Sequence, residues 1–331
     1  MQLLKQHLML PIDPQQPSHL FQPSADGTVR IKYTSEQLQG LIEHKEKIKA
    51  YLGTLQMDSK QLNTFANELA LSVSHQFNQV NQYINLTKQD EIQLQTLFKT
   101  LLNTLHSTYS NESKDLLVAL EEMFVHHHER IMSLLTKSNG NQLFQSYLNQ
   151  KEETIVPCQQ YSPSFQMKVL GLSLDHMQGP ILDIGCGSDA RLVNDLREQD
   201  VEAYGFDRNI TTKKPYLFRT NWFDFYFSPL KWGTLISNMA FSNHFWHHHL
   251  RQDGQYESYA QKYVEILNAL KVGGTFIYSP GLPFMENILK EVDKFEVSKH
   301  EIPMPETGMD QKLSQDELER RYVTKIKRLH A

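Results

Sequence analysis

A chain of 331 residues exceeds the roughly 100–200 residues of a single domain and points to two. Apolar residues make up 40 % and charged residues 21 %, a globular balance, and 33 basic against 38 acidic side chains leave a formal charge of −5, which argues against a broad duplex-binding surface. No run reaches the ~18–20 apolar residues of a membrane span, Met1 to Pro11 has no signal-peptide pattern, and two cysteines, Cys158 and Cys186, make no disulfide framework, so a cytoplasmic protein is expected.

Residues 1–34 read as an irregular segment punctuated by Pro11, Pro14, Pro17 and Pro23, with Thr28 to Tyr33 alternating like a short extended piece. From Ser35 the period becomes helical. Leu38, Leu41, Ile42, Ile48, Leu52 and Leu55 fall on one face, and comparable sets follow from Leu62, Ile92 and Leu116. Breaks near Asp58-Ser59, Thr87 and Ser110–Ser113 carry N-cap residues. Four amphipathic helices over 35–150 form an all-α helical bundle. His126-His127-His128 lies in the fourth, and His127 on its apolar stripe reads as a packed core histidine.

Residues 151–331 differ in character. After a connecting stretch, Ile181–Ile184, Val201–Phe206, Thr234–Ser237 and Thr275–Tyr278 read as strands, with helices at 190–198 and 259–270. This alternation indicates a parallel α/β sheet. Segments near Phe295–Val297 and Tyr322–Ile326 are expected to pair antiparallel at the sheet edge. The basic run Arg320-Arg321 to Arg328 then reads as the solvated face of an edge strand, with RNA contact as the alternative. His247-His248-His249 reads as a solvated or substrate-facing segment. Consecutive residues on a helix point apart, which argues against a shared metal, and no metal site is expected.

The most informative segment is Leu182-Asp183-Ile184-Gly185-Cys186-Gly187-Ser188-Asp189-Ala190. A strand entering Gly-x-Gly and then a helix, expected to start after Ser188, lets the backbone approach a ligand closely where a Cβ would collide. Cys186 between the glycines needs no redox role. Asp207, twenty residues past Gly187, ends the next strand at the distance suited to ribose hydroxyls. Gly185-x-Gly187-x-x-Ala190 also satisfies a nicotinamide-dinucleotide fingerprint. Against that reading, Asp183 occupies a position that is normally apolar there, and an acid makes sense opposite an ammonium group.

These residues, together with Leu270-Lys271-Val272-Gly273-Gly274, resemble the class I S-adenosylmethionine-dependent methyltransferases over about residues 165–331. The resemblance implies a Rossmann-like methyltransferase sheet preceded by the helical bundle, and S-adenosyl-L-methionine as cofactor. It implies that Gly185, Cys186 and Gly187 pass under the methionine part, that Asp183 reaches its amino group, and that Asp207 binds the ribose. In place of the family's adenine-binding acid stands Arg219-Thr220-Asn221-Trp222-Phe223-Asp224, where Asn221 is the aligned choice and Asp224 the other. Trp222 and its aromatic neighbours form either core or a stacking surface for adenine or acceptor. The resemblance implies that Asn238, at the end of the fourth strand, faces the cofactor and the transferred methyl. With Phe241 it resembles the Asn-Pro-Pro-Tyr arrangement without its prolines. His244 is the candidate proton acceptor.

The expected function is methyl transfer to a small-molecule acceptor, with no membrane partner. Two alternatives stand beside it. One is an RNA methyltransferase that uses the bundle for recognition, which requires a basic groove and salt-sensitive binding. The other is a non-catalytic protein that binds the cofactor as a sensor or interaction module. The bundle could cap the cleft, wall the acceptor pocket or form a homodimer contact.

Overall fold

The structure, a computed structural model, describes residues 2–12, 20–24, 27–31, 33–111, 115–148, 161–302 and 318–331. The chain divides into two compact units, Met1–Cys158 and Gln159–Ala331. The boundary expected at 150/151, and Cys158, lie outside the described residues.

In the N-terminal unit, the segment expected to be irregular carries α1 (Gln2–Leu8) and an antiparallel pair, β1 (Phe21–Pro23) and β2 (Val29–Ile31). Leu4, Leu8, Leu20, Phe21 and Ile31 are buried with the helices in one core. β2 lies within the alternating piece expected at Thr28 to Tyr33, whereas the three residues of β1 are too few for a period to register. The first expected helix is two: α2 (Ser35–Glu43) and α3 (Lys45–Met57). The break is at His44, whose Nδ1 lies 2.9 Å from the Gly40 carbonyl. Leu38, Leu41, Ile48, Leu52 and Leu55 stay buried across it, so the apolar stripe does not report the interruption. The remaining helices are α4 (Ser59–Val80), α5 (Lys88–Ser110) and α6 (Leu116–Asn139), with a short α7 (Gln142–Gln145). Asp58 and Asp115 cap α4 and α6, and Thr87 forms a reciprocal capping box with Asp90 at α5, each supplying an acceptor for orphan helix amides. His127 is buried edge-on against Phe98 at 5.0 Å.

The C-terminal unit begins with α8 (Pro163–Leu170). It continues through β3 (Ile181–Ile184), α9 (Arg191–Glu198), β4 (Ala203–Asp207), β5 (Leu217–Arg219), β6 (Trp232–Asn238), α10 (Phe241–Leu250) and α11 (Tyr256–Ala269). It ends with β7 (Leu270–Ser279), α12 (Pro283–Lys290), β8 (Phe295–Glu301) and β9 (Tyr322–Arg328). The sheet order is β5-β4-β3-β6-β7-β9-β8, with β9 antiparallel to both neighbours and the first five strands parallel. All four residues of β3 are buried, as a central strand covered on both faces must be.

The antiparallel pairing of β8 with β9 agrees with the expectation, but β9 is an interior strand and β8 is the edge. The basic run is correspondingly not one solvated face. Arg320 is buried, donates from Nε to Gly281 O at 3.0 Å and lies over the Trp246 ring. Arg328 is buried too, and its Nη1 donates to the carbonyls of Leu267, Asn268 and Leu270. It thereby satisfies orphan acceptors at the end of α11.

Candidate functional site

The chain leaves β3 in one direction, to β4 and β5, and returns to its other side with β6 and β7. The reversal opens a crevice at the carboxyl ends of β3 and β6, where open α/β sheets place their ligands. The loop Gly185-Cys186-Gly187 stands at that point. Gly185 and Gly187 have φ of +78° and +76°, a region that favours glycine. The loop is laced to β4: Gly185 N and Cys186 N donate to Phe206 O at 2.9 and 3.1 Å. Gly187 N donates to Asp207 Oδ2 at 3.1 Å, while Asn209 N donates to Oδ1 at 2.7 Å. A Cβ on Gly185 would stand 2.5 Å from the Cβ of Ala240. The close approach expected of a ligand at this glycine is therefore made by the chain itself. Helix α9 begins at Arg191, behind Ala190 at φ +48°, and not directly after Ser188.

Asp183, on β3 between Gly205 and Ile236, is 2 % exposed. Burial and the neighbouring Asp207 charge push its carboxyl up to about 7, and among the described residues no donor offsets them. At the end of β6, Asn238 Nδ2 is buried without a partner among the described residues. Two positioning residues escaped the sequence reading. Ser237 Oγ donates to Ile184 O at 3.0 Å and accepts from Phe241 N at 3.1 Å, tying β3, β6 and α10 together. Gly205 has Val193 Cγ2 and Cys186 Sγ at 2.7 and 2.8 Å from where its Cβ would be. A glycine inside a strand was the available signal for close approach; nothing distinguished Ser237.

Asn221 and Trp222 are buried and Asp224 is exposed. Asn221 Oδ1 accepts from Phe223 N at 3.0 Å. Trp222 meets Phe241 edge-on at 5.9 Å and His244 at 4.7 Å. This aromatic group joins the crevice through Phe241, which directly follows Ala240. His244 is buried; burial first, then the Arg208 charge and its neighbours His248 and His247, hold its imidazole well below the usual range. The adjacent run is solvated at one end only: His249 is exposed and His247 half-buried. His248 is 1 % exposed, accepts at Nδ1 from Arg251 Nη2 and Gln255 N at 3.0 and 3.1 Å, and stacks on Tyr259. The turn after α10 folds back at Gly254, where a Cβ would run into the His248 carbonyl. Among the described residues no group of three or more His, Cys, Asp or Glu could hold a metal ion, and no helix is long and apolar enough to cross a membrane.

No family model matches this sequence, and no curated protein does. Solved structures do. An S-adenosylmethionine-dependent methyltransferase from Mesorhizobium loti shares 14 % identity over 49 % of this chain and 97 % of its own, with a TM-score of 0.35. A counterpart from Archaeoglobus fulgidus shares 13 % over 50 % and 95 %, at 0.32. The Burkholderia thailandensis 1,6-didemethyltoxoflavin-N1-methyltransferase shares 14 % over 61 % and 90 %, at 0.33. Five parallel strands whose order reverses at β3, followed by the inserted antiparallel β9, give the described part of the C-terminal unit the class I methyltransferase fold.

Proposed function

We propose that the C-terminal unit binds S-adenosyl-L-methionine at the ends of β3, β4 and β6 and transfers its methyl group to a small-molecule acceptor. The observation that carries this reading is the buried Asp183 carboxyl, raised to about 7 beside Asp207. An ammonium group, such as the methionine part of the cofactor bears, favours the charged form of such an acid. Asp207 receives one backbone N–H at each oxygen, and each oxygen has a further lone pair for a ribose hydroxyl. Gly187 holds that carboxylate in place, and Cys186 shapes the loop. Asn238 offers its unpartnered Nδ2 at the end of β6. Asn221, which already accepts from Phe223 N, receives the adenine amino group, and Trp222 walls the neighbouring space.

When bound, the sulfonium supplies an already activated methyl group, so in-line placement of the nucleophile carries most of the acceleration. His244, held neutral, is the proposed acceptor of the nucleophile's proton. Its low basicity puts that transfer after methyl transfer has made the nucleophile acidic. Burial of Arg320 and Arg328 inside the fold takes two cations from any RNA-binding face, which supports a small-molecule acceptor over RNA.

Calorimetric titration with S-adenosylmethionine and S-adenosylhomocysteine, with the nicotinamide dinucleotide as control, tests the site. Micromolar-range binding of both sulfur ligands is expected, weakened at least about tenfold in a folded Asp207→Ala variant. Absence of heat with both ligands would overturn the reading. Binding without turnover against any extract would favour the non-catalytic alternative, and affinity falling steeply with salt for RNA would favour the RNA one.

A further inference from the structure

We propose that the N-terminal unit contains a second ligand site, a cleft for a small amphipathic organic anion between the β1–β2 pair and α6. The cleft has a volume of about 940 Å³, within the roughly 300–1,000 Å³ of small-molecule sites. It lies within the helical unit alone, and its evidence is independent of the methyltransferase reading.

Its apolar surface includes Tyr33, Met132 and Phe144, a surface for the flat or aliphatic body of a ligand. His128 is part of the wall and is 6 % exposed. Its ring donates to the Ile31 backbone carbonyl, and its Nδ1 is buried without a partner among the described residues. The donor is therefore Nε2–H. Burial lowers the imidazole to about 4, so the ring is neutral at pH 7 and Nδ1 is a bare acceptor. Nδ1 is closed off from the open space of the cleft, its ring packed against Tyr33 and Phe124, so the ring shapes the wall and the polar recognition falls to the rim.

The charged side chains of the wall set the sign of the ligand. Among the described residues of the wall, Arg30 and Lys137 stand against one acid, Glu129, although residues 1–150 as a whole carry more acidic than basic groups. All three are exposed, which suits a rim that meets an anionic group while the body enters the cleft. The ligand class is thus an organic acid with an apolar body.

The test uses the full chain and two dyes that differ by one group. 8-Anilinonaphthalene-1-sulfonate has an aromatic body, an N–H and a sulfonate; N-phenyl-1-naphthylamine lacks the sulfonate. Fluorescence titration is expected to show saturable binding of the sulfonate, about tenfold or more tighter than the neutral dye. An Arg30→Glu/Lys137→Glu variant, altered only at exposed positions, should remove most of that difference. Asp207→Ala should bind the sulfonate dye as the unmodified chain does, which separates this site from the cofactor crevice. Equal affinities for the two dyes, affinity unchanged in the charge-reversed variant, or loss of binding in Asp207→Ala would each overturn the proposal.

Discussion

Two carboxyl groups of the C-terminal unit are almost equally hidden from solvent and differently served. Glu286, on α12, is 0 % exposed. Its Oε1 accepts from Tyr278 Oη, Leu282 N and Thr324 Oγ1 at 3.0, 2.7 and 2.6 Å, and its Oε2 from Tyr322 Oη at 2.6 Å and from Lys299. Burial pushes that acid up, but the donors outweigh it and hold it below its usual value. Asp183 feels burial and the Asp207 charge with no donor against them among the described residues, and sits near 7. The contrast separates two uses of a buried acid. Glu286 is a completed knot that ties α12 to β7, β8 and β9, whereas Asp183, placed where the strand order reverses, has no such donor set among the described residues, and in the proposed function a ligand cation completes it.

The largest expected effect lies on the completed side. Glu286→Ala leaves Lys299 and three hydroxyls without their acceptor, and should lower stability by about 3–5 kcal/mol, read as a shift in the urea midpoint. Cofactor affinity per folded molecule should stay within about twofold. A loss of affinity at unchanged stability would erase the distinction between the two acids.

Asp183→Asn should do the reverse, leaving stability near neutral pH unchanged or raised while removing most cofactor affinity. The sign follows from linkage. With its folded value raised to about 7 from the usual 3.8, the native state holds a proton that the unfolded chain has lost throughout that window. Stability therefore falls as pH rises from about 4 to 7, by an amount on the order of a few kcal/mol, and levels above. Binding an ammonium must expel that proton below pH 7, so cofactor affinity should rise by up to about tenfold per pH unit and level off above 7. Denaturation and titration between pH 5 and 8 check both slopes. Asp183→Asn should flatten the first, and a chain with the same two slopes after substitution would show that Asp183 is not the titrating group.

The same contrast explains what the sequence could disclose. Asp183, Gly185, Gly187 and Asp207 stood out because each is unusual in its setting: an acid in an apolar strand, glycines between a strand and a helix, an acid closing the next strand. Glu286, Arg320 and Arg328 did not. Their partners come from strands and carbonyls far along the chain, such as the 61 residues between Arg328 and Leu267, and one-dimensional alternation makes a buried, satisfied arginine look like a solvated one. His248 failed for the same reason, since Arg251 and Gln255 reach it only after the turn at Gly254. In the helical unit the stripe of Leu38 to Leu55 fixed the buried face but was blind to the break at His44, because the face continues through it.

A smaller effect tests how rigidly the incomplete site is held. Gly205→Ala places a methyl 2.7 Å from Val193 Cγ2 and 2.8 Å from Cys186 Sγ. Overpacking of this kind costs about 1–3 kcal/mol, and displacement of Cys186 moves the loop that carries Gly187 and, through it, Asp207. Cofactor affinity should therefore fall along with thermal stability, unlike in Glu286→Ala. Affinity preserved in a destabilised Gly205→Ala would mean that the loop is positioned independently of the strand beneath it.

The smallest effect comes from the loop thiol itself. Cys186 Sγ is 3.7 Å from Gly187 O, and burial, with Asp183 and Asp207 next, pushes the thiol well above its usual value, so it carries no charge for the site to use. Cys186→Ala should cost no more than about 1 kcal/mol and leave cofactor affinity unchanged within about twofold. Its value is in the double variant. Removing Sγ clears one of the two atoms that crowd a Cβ at position 205 but leaves Val193 Cγ2 in place. Cys186→Ala/Gly205→Ala should therefore be more stable than the sum of the single changes predicts, by about 0.5 kcal/mol or more, and recover part of the lost affinity. Strict additivity would show that Val193 alone sets the cost, and that the Gly-x-Gly loop is not braced through Cys186.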